Sequence, residues 1–245
     1  MPVIVPILAF SAAYALIKSE NAEPVKSDSP VDNDEPTGSD GYQPNPSPID
    51  WQPLIEEMRG DIPADYLDRW IAKESGGNPC SKGAWGGPWE AGIGQVYFDR
   101  DQRYTQQFGV TLDKLRSCCS GDSQSMARQP NDDEMRIQMS SLIAMAYRYI
   151  GIAKSRAPEW QESDILCLAK LYHALPVLVT THLSLAKQDG MADSWDSYRD
   201  YLGNMTRDEV LSLDQRAGYS AGRGAAPYWP LDRLFSNAQL TGRGY

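Results

Sequence analysis

The sequence predicts a mainly α-helical fold, and three features indicate it. Apolar residues recur at the three- and four-residue spacing of a helix face in several segments. No run of segments alternates apolar and polar residues, as half-buried strands would. Helix start signals precede several periodic segments, the clearest being the capping box Thr206-x-x-Glu209. A hydrophobic content of 41% is enough for a globular core.

The N-terminal run is the first element. Residues 2–17, PVIVPILAFSAAYALI, carry no charge, and about 17 residues suffice to span a thin bilayer. Ala13-Tyr14-Ala15 has the small-residue pattern of a signal-peptide cleavage site, but no Lys or Arg precedes the run. We expect residues 1–17 to form a membrane-spanning helix that anchors the chain in a membrane through residues 2–17. A cleaved signal peptide is the alternative.

An acidic linker follows. Residues 18–50 hold eight acidic residues and two lysines, and they are rich in Pro, Ser and Asn. Such a segment buries too little apolar surface to offset its ordering entropy. We therefore predict a disordered tether over residues 18–49 and a folded domain over residues 50–245. The net charge of −10 disfavours a nucleic-acid partner.

The folded part begins with two short helices. Residues 51–60 predict a helix that ends at Gly60, and residues 63–75 predict a second one between Pro63 and the Gly76-Gly77 stop. A loop rich in Gly, Pro and Trp follows over residues 76–92. The next segment, IGQVYFDR, is compatible with a helical turn or a short strand.

Longer periodic segments predict the later helices. Residues 133–151 carry an apolar stripe at helical spacing, and residues 163–175 carry another, with Ser163 as the expected cap and Pro176 as the end. Further helices are expected near residues 177–187, 192–202, 206–213 and 228–240.

The four cysteines do not predict a metal site. No C-x-x-C spacing occurs, and neither histidine clusters with a cysteine. We expect no metal and no cofactor. In an oxidising compartment Cys80 can bridge to Cys118 or to Cys119, and the sequence does not choose between them. Cys167 lies in an apolar helical run, which indicates a buried free thiol.

Glu74 lies where a core residue is expected. Leu67, Trp70 and Ile71 precede it by seven, four and three residues, the spacing of one helix face. A carboxylate on an apolar face is costly unless it is paired or protonated, and the end of the helix repels negative charge. Both effects predict a raised pKa for Glu74, which suits a general acid. A glutamate that turns out to solvent is the alternative.

Three segments together resemble a known enzyme family. They are Glu74-Ser75, the turn Gly92-Ile93-Gly94-Gln95, and residues 169–174, AKLYHA. Their order and spacing resemble the lysozyme-like lytic transglycosylase domain, which is related to the goose-type lysozymes. The resemblance covers roughly residues 60–180. Gly94 stands where the family usually has Met, and His173 where it has Asn.

The resemblance implies a lysozyme-like helical domain with a substrate cleft that binds peptidoglycan glycan strands. It implies cleavage of the β-1,4 bond between N-acetylmuramic acid and N-acetylglucosamine. Glu74 would act alone, first protonating the leaving oxygen and then accepting the proton of the muramic acid 6-hydroxyl. That hydroxyl attacks its own ring, so the product ends in 1,6-anhydromuramic acid and no water is consumed.

Supporting roles follow from the same resemblance. The hydroxyl of Tyr172 is expected to fix the Glu74 carboxyl, and Gln95 to hydrogen-bond the substrate. Ser75 would line the cleft near the acetamido group, and Gly92 and Gly94 would let the backbone approach a sugar. Ile93 is expected to support substrate binding from the same turn. Core packing for Tyr172, loop capping for Gln95 and Ser75, and an ordinary turn for the glycines are the alternatives.

Two other functions stay open. If Glu90 faces the cleft and positions a water, the enzyme is a hydrolytic lysozyme of the goose type; Asp99 and Asp101 are further candidates for that role. His173 is a candidate substrate contact in the place of Asn. The second alternative is an inactive wall-binding or scaffold module, which the departures at Gly94 and His173 favour. Each version predicts a membrane-anchored domain that faces peptidoglycan in a bacterial envelope, or a virion-associated phage protein.

Overall fold

The computed structural model describes residues 49–82, 90–97, 110–121, 123–220 and 222–239. All of them belong to the second of two compact units, residues 45–245. The predicted anchor and nearly all of the predicted tether lie outside the described residues. Among the described residues, no helix is both long and apolar enough to span a membrane.

The described residues are mainly helical, as predicted. Two short strands, β1 (Glu90–Ala91) and β2 (Val96–Tyr97), pair antiparallel around a tight turn. A π-helical turn (Leu178–His182) leads into the sixth helix, and a 3-10 turn (Ala226–Tyr228) precedes the last one. The helices are α1 (Gln52–Met58), α2 (Ala64–Glu74), α3 (Leu112–Leu115), α4 (Asp132–Arg156), α5 (Glu162–Ala174), α6 (Leu183–Gln188), α7 (Trp195–Gly203), α8 (Arg207–Arg216) and α9 (Asp232–Ala238).

The pair α4 and α5 forms the centre of the fold. α4 begins at a capping box in which Asn131 and Glu134 satisfy each other's backbone N–H groups. Its predicted stripe is buried, with Met139, Leu142 and Ala146 fully inaccessible. α5 packs against α4, α7 and α9, and its residues 164–171 are all buried. A helix that is buried all round lies in the core rather than on the surface.

Most predicted helices are found, with several differences. α3 was not predicted, and α4 continues to Arg156, beyond the predicted end at residue 151. α5 begins one residue earlier than predicted, and Gln161, not Ser163, is at its N-cap without a side-chain cap. The helix expected near residues 177–187 begins as the π-helical turn and continues as α6. The Thr206–Glu209 capping box is confirmed, because each side chain bonds the other residue's backbone N–H.

A buried pair holds the C-terminal segment. Nε2 of His182 lies 2.7 Å from Oδ1 of Asp214, and both side chains are almost fully buried. The same carboxylate accepts hydrogen bonds from the backbone N–H groups of Ala225 and Ala226, at 2.7 and 2.9 Å. Burial lowers the pKa of His182, although Asp214 opposes the shift. The pair therefore fastens the chain around residue 225 to α8.

The structure resolves the cysteine pairing that the sequence left open. Cys80 forms a disulfide with Cys119. Cys118 is a buried free thiol, and its Sγ lies 3.9 Å from Sγ of Cys80. Cys167 is also buried and is not in a disulfide, as predicted. Among the described residues, only the sulfurs of Cys80, Cys118 and Cys119 have metal-ligand spacing, and the disulfide uses two of them.

Candidate active site around Glu74

Glu74 is the last residue of α2, where the sequence placed it. The helix stops because Gly76 and Gly77 adopt positive φ angles of 61° and 83°. Its apolar face is buried, including Leu67 and Trp70, which are inaccessible. The Glu74 side chain keeps 20% of its surface exposed. A partly exposed carboxylate at the edge of a core is accessible to a ligand.

Two basic side chains from α5 contact the Glu74 carboxylate. Oε1 of Glu74 contacts Nζ of Lys170 and lies 3.5 Å from Nδ1 of His173. Burial raises the pKa of Glu74, but the charges and hydrogen bonds of His173 and Lys170 outweigh burial and lower it to about 2. The predicted raised pKa is therefore wrong, because pairing with α5 overcomes the effect of burial.

His173 connects the carboxylate to the Gly-Ile-Gly-Gln turn. Its Nε2 lies 3.0 Å from the backbone carbonyl oxygen of Gln95. A carbonyl only accepts, so Nε2 carries the proton and donates it. Nδ1, on the other side of the ring, lies 3.4 Å from Nζ of Lys170. His173 therefore links the turn to the Lys170–Glu74 pair.

Ser75 joins the end of α2 to the same turn. Its Oγ lies 3.1 Å from the carbonyl oxygen of Ile71 and 3.0 Å from that of Ile93, and it accepts from the N–H of Gly77 at 3.1 Å. The backbone N–H of Ile93 donates to Oε1 of Gln138. The structure thus gives Ser75 the capping role that the sequence left as an alternative, and it brings the Glu-Ser pair against the turn.

Gln95 is buried and strained within the turn. Its φ of 53° is the one positive φ of a non-glycine residue among the described residues. Nε2 of Gln95 donates to the carbonyl oxygens of Ser81 and Gly92, at 3.1 and 3.0 Å. Its Oε1 is buried, and no described residue donates a hydrogen bond to it. A non-glycine residue in this region costs free energy and is found most often at functional sites.

The glycines of the turn are required by packing. A Cβ at Gly92, whose φ is 81°, would lie 2.4 Å from Oε1 of Gln138. A Cβ at Gly94 would lie 2.8 Å from Cδ1 of Leu142 and 3.3 Å from Cε of Met145. The space that a side chain at position 94 would enter is therefore filled from α4, which accounts for glycine where the family has Met.

Glu90 belongs to the same cluster of charges. It is the first residue of β1, directly before the turn, and it is partly buried. Burial raises its pKa; the His173 charge lowers it, and the Glu74 charge raises it. Glu74 and Glu90 are thus two carboxyl groups within one electrostatic cluster whose pKa values are shifted in opposite directions. Asp99 and Asp101, the other acidic candidates, lie outside the described residues.

Aromatic rings support α5 beneath the cluster. The Tyr172 ring packs on Tyr149 with centroids 5.3 Å apart, and His173 lies 5.2 Å from the Trp70 ring and 5.7 Å from that of Tyr149. The contacts that the structure gives to the Glu74 carboxylate come from Lys170 and His173. The expected contact from the Tyr172 hydroxyl stays a prediction.

Lys170 and Gln138 are the two site residues that the sequence reasoning missed. Lys170 is 1% exposed, and the signal for it was a single lysine inside the apolar run DILCLAKLY. Gln138 is buried and bonds Ile93, Pro79 and Leu115. A buried amide side chain on an otherwise apolar helix face indicates that it satisfies backbone groups of neighbouring loops.

The cluster offers proton transfer at a partly exposed carboxylate. Glu74 and Glu90 are groups that donate or accept protons. The charge of His173 acts to lower the pKa of both, and Lys170 lowers that of Glu74. Comparison with protein-family models, with curated proteins and with solved structures gave no match to this chain. The three segments that resemble a known family nevertheless lie together at Glu74.

Proposed function

We propose that the chain is a peptidoglycan lytic transglycosylase that cleaves the β-1,4 bond between N-acetylmuramic acid and N-acetylglucosamine. One observation carries the proposal. The three segments of the resemblance, far apart in the sequence, contact one another: Ser75 bonds the turn, and His173 bonds both the turn and Glu74. Segments that resemble a catalytic motif only by chance have no reason to converge on one partly exposed carboxylate.

The turn offers polar groups that suit an amino sugar. Among the residues that the structure describes, none donates a hydrogen bond to the buried Oε1 of Gln95, and the acetamido N–H of a bound sugar is such a donor. An unsatisfied buried acceptor costs about 1–3 kcal/mol, so a ligand that supplies the donor gains affinity. This gives Gln95 a substrate contact in addition to its capping bonds.

In the proposed reaction Glu74 is the single acid and base. Its proton goes to the oxygen of the leaving sugar as the bond from that oxygen to the anomeric carbon breaks. The resulting carboxylate takes the proton of the muramic acid 6-hydroxyl while that oxygen bonds the anomeric carbon, closing the 1,6-anhydro ring. The route requires Glu74 to be protonated once the glycan is bound, since the empty site holds it as an anion.

A specific observation favours hydrolysis as a second chemistry. The raised pKa of Glu90 and the lowered pKa of Glu74 form the pattern of an acid paired with a base. In this version Glu90 protonates the leaving oxygen and the Glu74 carboxylate activates a water, which exchanges the roles expected from the sequence. The product then has reducing ends.

Mass spectrometry of muropeptides released by the purified full chain tests the proposal. Anhydro ends, which are one water lighter than reducing ends, support the transglycosylase route. Reducing ends that disappear in Glu90→Gln support the hydrolase. Glu56→Gln is the matched control, because Glu56 is exposed and pairs only with Arg59 among the described residues. No release by the wild-type chain, on walls that a known lysozyme digests, contradicts both routes and favours the inactive binding module.

The proposal also assigns a location. The uncharged run over residues 2–17 would anchor the chain in a membrane, with the domain facing peptidoglycan in the envelope or in a virion. Membrane fractionation followed by N-terminal sequencing tests this. A soluble chain that begins directly after Ala15 would contradict the anchor and support a cleaved signal peptide.

A further inference from the structure

Lys170 is a buried cation whose position the resemblance does not explain. Its side chain is 1% exposed, and its Nζ contacts Oε1 of Glu74. Nζ also lies 3.4 Å from Nδ1 of His173 and 5.0 Å from the centre of the Trp70 ring. A lysine is rarely buried without a counter-charge, because removing an ammonium from water is expensive.

The ion pair between Lys170 and Glu74 joins two helices that are distant in the sequence. They are 96 residues apart in the sequence, and α5, which carries Lys170, is buried against α4, α7 and α9. The lysine therefore has little freedom to move, whereas Glu74 is partly exposed at a helix end. A fixed cation beside a freer carboxylate determines where that carboxylate points.

Among the described residues, the charged and titratable groups near Glu74 lie on α5, β1 and α2. Lys170 and His173 face it from α5, and Glu90 acts on the cluster from β1. Lys73 is its neighbour on α2, and its ammonium is directed to the carbonyl oxygen of Ser236. Lys170 is the most buried of these groups and contacts the carboxylate directly. Its charge is therefore the least screened by water.

We propose that Lys170 is a positioning residue that holds the Glu74 carboxylate as an anion, in one orientation beside His173, while the site is empty. As a statement about catalysis this rests on the proposed function. In the single-glutamate route, the ion pair limits the fraction of Glu74 that carries a proton. In the two-carboxylate route, it keeps Glu74 ready as the base. In both routes Lys170 acts through Glu74 and not on the sugar.

Titration of the full chain with ¹³C-labelled glutamate carboxyls tests the proposal without any substrate. The Glu74 signal is assigned by its loss in Glu74→Gln. Lys170→Met keeps a long unbranched side chain and removes the charge. We expect the Glu74 pKa to rise by about one unit or more, a tenfold change in its protonation equilibrium, and to stay low in Lys170→Arg. An unchanged pKa in a folded Lys170→Met variant would overturn the proposal.

The pH dependence of kcat is a second test, and it distinguishes a failure of this proposal from a failure of the proposed function. The limb of the kcat pH profile that depends on Glu74 should move to higher pH in Lys170→Met by the same interval as the titration. Lys170→Arg should keep the wild-type profile. A profile that stays in place while the variant remains active contradicts the role of Lys170.

If the wild-type chain cleaves no peptidoglycan, the proposed function fails, and the titration still decides whether Lys170 sets the charge of Glu74. The double variant Glu74→Gln/Lys170→Met, which buries neither charge, controls for folding.

Discussion

The ammonium of Lys170, buried in α5, contacts the carboxylate of Glu74 at the end of α2. Together with the contact from His173, it reverses the electrostatic character expected of Glu74. An unpaired carboxylate on an apolar face would have a raised pKa, whereas the paired one has a pKa of about 2. The chemistry of the site therefore depends on residues of α5, outside the helix that carries Glu74.

The ion pair predicts a coupled effect on stability. Glu74→Gln leaves the Lys170 ammonium buried without a counter-charge, although the amide oxygen still accepts a hydrogen bond. We expect a loss of about 1–3 kcal/mol in the free energy of unfolding. In Glu74→Gln/Lys170→Met most of that loss should be recovered, since no charge stays buried. Urea unfolding of the wild-type chain, both single variants and the double variant measures the coupling. Strictly additive losses would show that the two charges do not interact.

The lowered pKa of Glu74 predicts a pH dependence of stability. Because the folded pKa is about 2 and the ordinary value is 4.5, the unfolded chain binds the proton more readily. Glu74 therefore contributes stability above about pH 4.5, on the order of 3 kcal/mol, and the contribution is lost as the pH falls toward 2. The stability difference between the wild-type chain and Glu74→Gln, measured by urea unfolding, should shrink over that interval. A difference that is constant from pH 6 to pH 3 would contradict the assignment.

The structure predicts that Cys80 pairs with Cys119 and not with Cys118. Peptide mapping of the oxidised chain, with fragmentation between Cys118 and Cys119, should show Cys80 linked to Cys119 and a free Cys118. Cys119→Ala should lower the free energy of unfolding by about 3–4 kcal/mol, because a long loop is released in the unfolded chain. Cys118→Ala is the matched control and should retain the link. Recovery of a Cys80–Cys118 link from the wild-type chain would show that the pairing is wrong.

The buried pair His182–Asp214 predicts that a side chain at Gly224 destabilises the fold. A Cβ at Gly224 would lie 2.1 Å from Cγ of Asp214, so Gly224→Ala must displace the carboxylate from Ala225 and Ala226. We expect a loss of about 1–3 kcal/mol in the free energy of unfolding. Gly151→Ala is the control: Gly151 is exposed within α4, with no atom within 4 Å of the added Cβ, and it should gain about 0.5–1 kcal/mol. Equal changes in the free energy of unfolding for Gly224→Ala and Gly151→Ala would contradict the expected clash with Asp214.

The sequence alone located the helices and the position of Glu74. Apolar spacing, capping residues and glycine stops act within a few residues of one another, so their effect is local. This is why α2 and α4, the Thr206–Glu209 cap and the buried thiol of Cys167 agree with the predictions. It is also why Glu74 falls on the apolar face, at the end of α2.

The tertiary structure decided what surrounds Glu74. The expected pKa was wrong because its partners, Lys170 and His173, lie about 100 residues away on a helix whose burial no local pattern specifies. The choice of Cys119 as the disulfide partner also depends on how distant segments meet. So does the need for glycine at position 94, where the side chains of α4 fill the space. The charge of a buried group depends on everything packed against it, and packing joins residues that the sequence keeps far apart.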